Sequence, residues 1–140
     1  MTRIDFYFNV SNKPKLLAEL VQGALNKRRL VTVFADDAEK ASDISASLWQ
    51  QPAPSFMPNV LVNDRLAEQT PVLIHWQEQA LLQDDMLINL TATEPNFFSR
   101  FTQLVELVSD DEQDKVAARA RYKFYRDRGY EIKNINHAQT

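Results

Sequence analysis

Short apolar runs of strand length alternate along this chain with stretches of helical period. That alternation restricts it to folds that layer helices on a mostly parallel sheet. Ile4, Phe6, Phe8 and Val10 alternate with Asp5, Tyr7 and Asn9, a first strand whose second face is partly apolar through Tyr7. Ser11 or Asn12 can cap the next element and Pro14 suits a first helical turn. Leu16, Leu17, Leu20, Val21, Ala24 and Leu25 then recur at helical spacing, and Lys27, Arg28 and Arg29 sit where a helix C-terminus favours cations. Leu30–Phe34 is a β-branched run, expected to be a buried strand. Asp36 with Glu39 forms a capping box for a helix with Ala41, Ile44 and Leu48 on one face, ending before Pro52. Pro52, Pro54 and Pro58 stiffen a loop over 51–71, with a short strand at Val60–Val62. Val72–Trp76 and Met86–Leu90 are two further strands. The spacing of Phe97, Phe101, Leu104, Val105 and Val108 predicts a helix capped by Thr93, with Pro95 in its first turn. A last helix runs from Asp110–Asp111 to Arg128, and Gly129 is placed to close it. The expected fold is α/β: a three-layer α/β/α sandwich with a mostly parallel central sheet, one domain over residues 1–132 and a flexible polar tail over 133–140.

The rare residues narrow the chemistry. The 140 residues are one domain's worth and contain no cysteine, two histidines (His75 and His137) and two glycines (Gly23 and Gly129). Disulfides, thiolate metal sites and a His-rich zinc site are ruled out, and so is a glycine-rich phosphate loop of either common type, although the element order is nucleotide-binding-like. No apolar run reaches the ~20 residues that cross a bilayer, and the first ten residues do not read as a signal peptide, so a cytoplasmic location is expected. The formal net charge is −3, so any case for an anionic partner must rest on a local patch.

That patch lies on the last helix. With residue 115 at zero and about 100° per residue, Arg119 falls near 40°, Tyr122 near −20°, Lys123 near 80° and Arg126 near 20°. Lys115, Arg119, Tyr122, Lys123 and Arg126 thus share one stripe, and Val116, Ala117, Ala120 and Phe124 occupy the sector expected to be buried. Residues 115–128 hold six cations against one anion, Asp127, a local +5 in a chain of −3, so the remainder carries −8. Acidic residues at the start of this helix and basic ones at its end suit the helix dipole, which would make the stripe a solvated face. The dipole effect fades within the last turn, however, and Lys115 and Arg119 lie before it. Arginine grips oxyanions in a fork and tyrosine offers an apolar wall with a polar tip, so the stripe equally suits an acidic peptide, a carboxylate or a nucleic-acid backbone.

The proline loop, with Trp49, Phe56 and Met57, is the second feature. Fixed backbone can present such side chains to a partner at low entropic cost, or they can cover an open edge of the core. Catalysis has little support. Asp36–Asp37 is explained as a helix start, Asp84–Asp85 as a loop before a strand, and His75 within VLIHW as a scaffold histidine; no serine sits in a nucleophile elbow. No metal ligand set and no cofactor site is expected.

Particular stretches carry a resemblance. IDFYF near the start, LWQQPAPSFMPN (Leu48–Asn59), PVLIHW (Pro71–Trp76), DMLINL (Asp85–Leu90), FFSRFTQLVELV (Phe97–Val108) and RARYKFYRDRGYEI (Arg119–Ile132) together resemble the chi-subunit family of bacterial DNA polymerase III holoenzyme. The resemblance implies an accessory, non-catalytic replication protein. Such a protein pairs with the psi subunit, which tethers it to the clamp-loader complex, and binds the acidic C-terminal tail of single-stranded DNA-binding protein. It also implies use of the psi-facing surface by a helicase-like repair protein, contact with nucleic acid only indirectly, and none with membrane. Carried over by position, tail binding falls on Lys115, Arg119, Tyr122 and Lys123, with Arg126 added by angle. Psi binding falls on Trp49, Phe56 and Met57. Asn59 stands where family members often have histidine. Two other readings remain: direct single-stranded nucleic-acid binding through the same cations and tyrosines, opposed by the acidic remainder, and a nucleotide-metabolism enzyme suggested by fold analogy alone.

Overall fold

The computed structural model describes residues 2–49, 60–61, 72–76 and 84–137. The chain runs through β1 (Arg3–Val10), α1 (Lys13–Asn26), β2 (Val31–Phe34), α2 (Ala38–Trp49), β3 (Val60–Leu61), β4 (Val72–His75), β5 (Met86–Asn89), a 3-10 turn at Phe98–Arg100, β6 (Gln103–Ser109), α3 (Glu112–Asp127) and β7 (Ile132–Asn136). The strands form one seven-stranded sheet in the order β3-β4-β2-β5-β6-β1-β7. Every pairing among the described residues is parallel.

Alternation along the strands builds a core on each face. Leu16, Leu17, Val21 and Ala24 of α1 and Ala41 and Leu48 of α2 pack with Val31, Val33, Val72, Ile74, Ile88, Val105 and Leu107. On the other face Ile4, Phe6, Leu87, Leu104 and Val108 meet Phe97, Phe98, Phe101 and the α3 residues Ala118 and Tyr125. The α/β layering read from the sequence is therefore present. Phe98 meets Tyr125 and Tyr130 edge-on at centroid distances of 4.9 and 5.0 Å, contacts each worth ~0.5–1.5 kcal/mol beyond their buried area.

Capping chemistry fixes the helix ends. The Asn12 side chain accepts the Lys15 N–H at 3.1 Å, and Asp111 accepts the Asp114 N–H at 3.2 Å. Asp37, not Asp36, caps α2: its Oδ1 accepts the Lys40 N–H at 2.8 Å, while Asp36 pairs with the Lys40 ammonium at 3.0 Å. Gly129 closes α3 at φ 83°, where a side chain would be strained, and lets Tyr130 N–H reach back to the Tyr125 carbonyl at 3.2 Å.

Two further expectations fail. Residues 93–108 are not a helix: the stretch is the 3-10 turn followed by β6, whose residues Gln103–Val108 are all buried. A strand covered on both faces shows a continuous apolar run, which helical spacing can mimic. The polar stretch after Ile132 is not a loose tail as far as Asn136. It pairs in parallel with β1 from Ile4↔Ile132 to Phe8↔Asn136, so the folded chain continues past residue 132. Strand β7 is polar because it is the sheet edge.

The connections position the site. From neighbouring strands β1 and β6, α1 carries the chain toward β2 and α3 carries it the opposite way to β7. Open α/β sheets leave a crevice at the strand C-termini where connections diverge. Here Lys13, at the start of α1, bridges that point to Asp114 of α3 at 2.7 Å. Among the described residues no helix is long and apolar enough to cross a membrane.

Candidate functional site: a basic groove beside the third helix

The orientation of α3 is set by a buried polar cluster. Glu106 of β6 is fully buried and its carboxylate accepts from Arg121 Nε at 3.0 Å, from the Tyr125 hydroxyl at 2.6 Å and from Asn89 Nδ2 at 3.0 Å. Arg121 also donates from Nη1 to the Ala92 carbonyl at 3.0 Å. Burial pushes the Glu106 carboxyl above the usual range, against the pull of the Arg121 guanidinium and the Tyr125 and Asn89 hydrogen bonds. The Tyr125 hydroxyl is raised too, first by burial and then by the neighbouring carboxylate.

This cluster corrects the expected burial of α3. The inward residues are Ala118, Arg121 and Tyr125, whereas Val116, assigned to the buried sector, is 56% exposed. On the helical wheel the inward direction lies near −90°, so the stripe centred near 30° stands to the side of the helix, along the edge of its contact with the sheet. Arg121, one of the six cations, does not belong to the surface patch. Apolar periodicity misses this because the helix inserts an arginine and a tyrosine to satisfy a strand carboxylate.

A groove of about 490 Å³ follows the stripe. Lys115, Arg119, Tyr122, Lys123 and Arg126 all line it, so the structure brings together every residue of the stripe. Phe6, Phe8, Val108 and Ala118 supply apolar lining, and Asn9, Ser109 and Asn134 add polar groups. Tyr122 is half-buried, with its ring edge-on to Phe6 at 5.3 Å and its hydroxyl accepting from Asn134 Nδ2 at 3.2 Å. Sequence reasoning read Phe6 and Phe8 only as part of a first strand and Asn134 as part of a tail, and so missed them as groove residues. The β1 alternation did put Phe6 and Phe8 on one face.

Among the described residues no close ion pair neutralises the stripe cations. Arg119 reaches Glu112 only at 3.9 Å, with both side chains about 70% exposed, and Arg126 reaches Asp127 only at 3.7 Å. Exposed pairs of that kind are worth little and are screened by salt. Asp114, adjacent to Lys115, is engaged by Lys13 and by the Ser109 N–H and hydroxyl at 2.8 and 2.9 Å. Among the described residues no carboxylate pairs with Lys115 or Lys123. A cationic rim over an apolar floor suits a ligand that carries negative charge beside an apolar group.

The other singled-out residues stand apart. Asp85 accepts from Arg29 Nη2 at 2.7 Å and from the Leu30 N–H at 3.2 Å, and the Arg29 hydrogen bond holds its carboxyl below the usual range. It ties a loop to the sheet. His75 is buried in β4, where desolvation lowers its imidazole to about 4. Phe56 and Met57, assigned to psi, lie outside the described residues, as does the Trp49 side chain.

Comparison with known proteins places the chain. The family model described as DNA polymerase III chi subunit, HolC, matches residues 1–133. The chain is 30% identical over 138 residues to the DNA polymerase III subunit chi of Pseudomonas aeruginosa, covering 96% of each. It is 30% identical over 119 residues to that of Escherichia coli, covering 84% of this chain and 81% of the other. Among solved structures, the C-terminal domain of the DEAD-box protein Dbp5 matches with a TM-score of 0.66 at 12% identity, over 99% of this chain and 92% of that one, which shows a shared fold alone. A family match across nearly the whole chain, together with relatives aligned almost end to end, means that the chain belongs to the DNA polymerase III chi subunit family, accessory subunits of the replicative polymerase.

Proposed function

We propose that this chain is a non-catalytic cytoplasmic adaptor with two protein-binding surfaces. The groove beside α3 takes the acidic C-terminal tail of single-stranded DNA-binding protein. The proline loop, through Trp49, Phe56 and Met57, takes the psi subunit and with it the clamp loader. The single observation that carries the first part is the groove itself: five stripe residues around an apolar floor, with no carboxylate among the described residues closing on Lys115 or Lys123. Arg119 and the lysines meet the aspartates and terminal carboxylate, and Tyr122 with Phe6 and Phe8 walls a niche for a terminal aromatic ring. Charge-assisted contacts on an exposed rim are screened, and a flexible tail must be ordered. The affinity is therefore expected to be micromolar, about −8 kcal/mol, and to weaken as salt rises. Several tails on one binding-protein assembly raise the local concentration.

Calorimetry with the tail peptide, with and without its terminal aromatic residue, tests this. The intact peptide binds with micromolar affinity and the truncated one loses tenfold or more. If the peptide does not bind while a fluorescent single-stranded oligonucleotide does, the groove is a nucleic-acid site. For the second surface, Phe56→Ala abolishes psi association and spares the tail; unchanged psi binding removes that assignment.

A further inference from the structure

Strand β7 ends the sheet, and its backbone shows which groups it leaves unpaired. The Ile4 N–H donates to the Glu131 carbonyl at 3.3 Å and the His137 N–H donates to the Phe8 carbonyl at 2.8 Å. In a parallel ladder alternate residues turn their N–H and C=O to the same neighbour. The odd-numbered residues of β7 therefore pair with β1, and Ile132 and Asn134 direct their backbone groups outward, where no strand among the described residues meets them. Natural sheets blunt such edges with proline, bulges or charge; β7 has no proline, pairs with β1 without a register break and carries one charged residue, Lys133.

The free edge is continuous with the groove. The Asn134 side chain lines the groove and donates to Tyr122, while its backbone belongs to the edge. We infer that β7 receives the incoming acidic peptide as an eighth strand, its backbone pairing with the outward N–H and C=O of Ile132 and Asn134 while alternate side chains reach the groove. Charge favours this occupant over a second copy of the chain. Lys123 and Arg126 border the groove on the α3 face of the edge, and Lys133 is exposed on the other face, so both sides of an added strand meet cations. A second β7 would bring Lys133 against its own kind.

The inference rests on the tail-binding reading, and the experiment separates the two. Tail peptides bearing a single backbone N-methyl group at successive positions are titrated against the full chain. Methylation at alternate positions weakens binding tenfold or more, and the positions between stay within twofold. Amide exchange of Ile132 and Asn134, followed by NMR, slows on adding the unmodified peptide, whereas Lys133 and Ile135, already paired to β1, change little. Asn134→Pro binds tenfold more weakly than Asn134→Ala, since proline removes the outward donor at an edge position that tolerates it. If the unmodified peptide binds but methylation has no alternating effect and the two amides exchange as before, strand addition is wrong and the groove reading stands. If the unmodified peptide does not bind, both fall. A concentration-dependent dimer that the peptide does not dissociate would assign the edge to self-association and overturn the inference.

Discussion

Arg121 and Glu106 form an ion pair sealed inside the molecule, Nε to Oε1 at 3.0 Å with the side chains 2% and 0% exposed, and this pair decides which side of α3 faces solvent. Arg121 and Tyr125, one turn apart, both turn toward the Glu106 carboxylate. Fixing that direction leaves Lys115, Arg119, Tyr122, Lys123 and Arg126 along the groove. The polar core cluster and the basic surface are thus two sides of one helix placement.

Removing one member of this pair strands the other in the core. Glu106→Leu is expected to cost about 3–5 kcal/mol, because it leaves the buried Arg121 guanidinium without its counter-charge and the Tyr125 hydroxyl without the carboxylate it donates to. Adding Arg121→Met should recover much of the loss, since a buried ion pair replaced by apolar groups of similar size is often close to neutral. Urea unfolding midpoints check this. A double variant no more stable than the single would mean that the pair does not act as a unit in holding α3.

Arg119 lies on the exposed side of the same helix. Arg119→Ala should weaken tail binding threefold or more at low ionic strength and leave Tm nearly unchanged, as expected for a surface substitution. Glu112→Gln should strengthen binding slightly, because Glu112 is the one described carboxylate within ion-pair reach of Arg119. Both differences should shrink as salt shortens the screening length toward ~3 Å at 1 M. A large drop in Tm with unchanged binding would assign Arg119 a structural role.

Tyr122 is expected to act through its ring. Tyr122→Phe gives up the Asn134 hydrogen bond but keeps the edge contact with Phe6, so tail affinity should stay within about threefold, since an exposed hydrogen bond falls at the low end of the ~0.5–1.5 kcal/mol range. Tyr122→Ala opens the wall. Its diagnostic is selective: the gap in affinity between the peptide with a terminal aromatic and the one without should largely close. If Tyr122→Ala weakens both peptides equally, the ring is not the wall of the aromatic niche.

The stripe was legible because side-chain angles around a helix follow from residue spacing alone. Which direction points inward was not, because the answer depends on Glu106, fifteen residues before Arg121 and on a different element. Apolar counting favoured Val116 and Ala120, and the protein buries Arg121 instead. The same limit explains β6. Leu104, Val105, Leu107 and Val108 are spaced as well for a helix as for a strand covered on both faces, and only the neighbours β1 and β5 decide. Strand β7 gave no apolar alternation, since an edge strand exposed along much of its length needs none. Helix ends were readable to within a residue, at Ser11 or Asn12, at Asp110–Asp111 and at Gly129, because one side chain or one φ angle determines the outcome locally.

His75 offers a prediction away from the groove. It is fully buried in β4, neither ring nitrogen has a partner among the described residues, and desolvation lowers the imidazole to about 4. The unfolded chain takes up this proton near pH 6.5, while the folded chain resists it until about 4. Between those values the unfolded state holds more protons, so the contribution is fully present above pH 6.5 and is lost as pH falls toward 4. At ~1.4 kcal/mol per unit the loss approaches about 3 kcal/mol. His75→Leu removes the titrating group, so the stability of the original chain relative to this variant should decline steadily from pH 7 to pH 4. Other acids cancel in that difference. Parallel stability curves for the two proteins would show that His75 takes up its proton as readily in the folded chain as in the unfolded one.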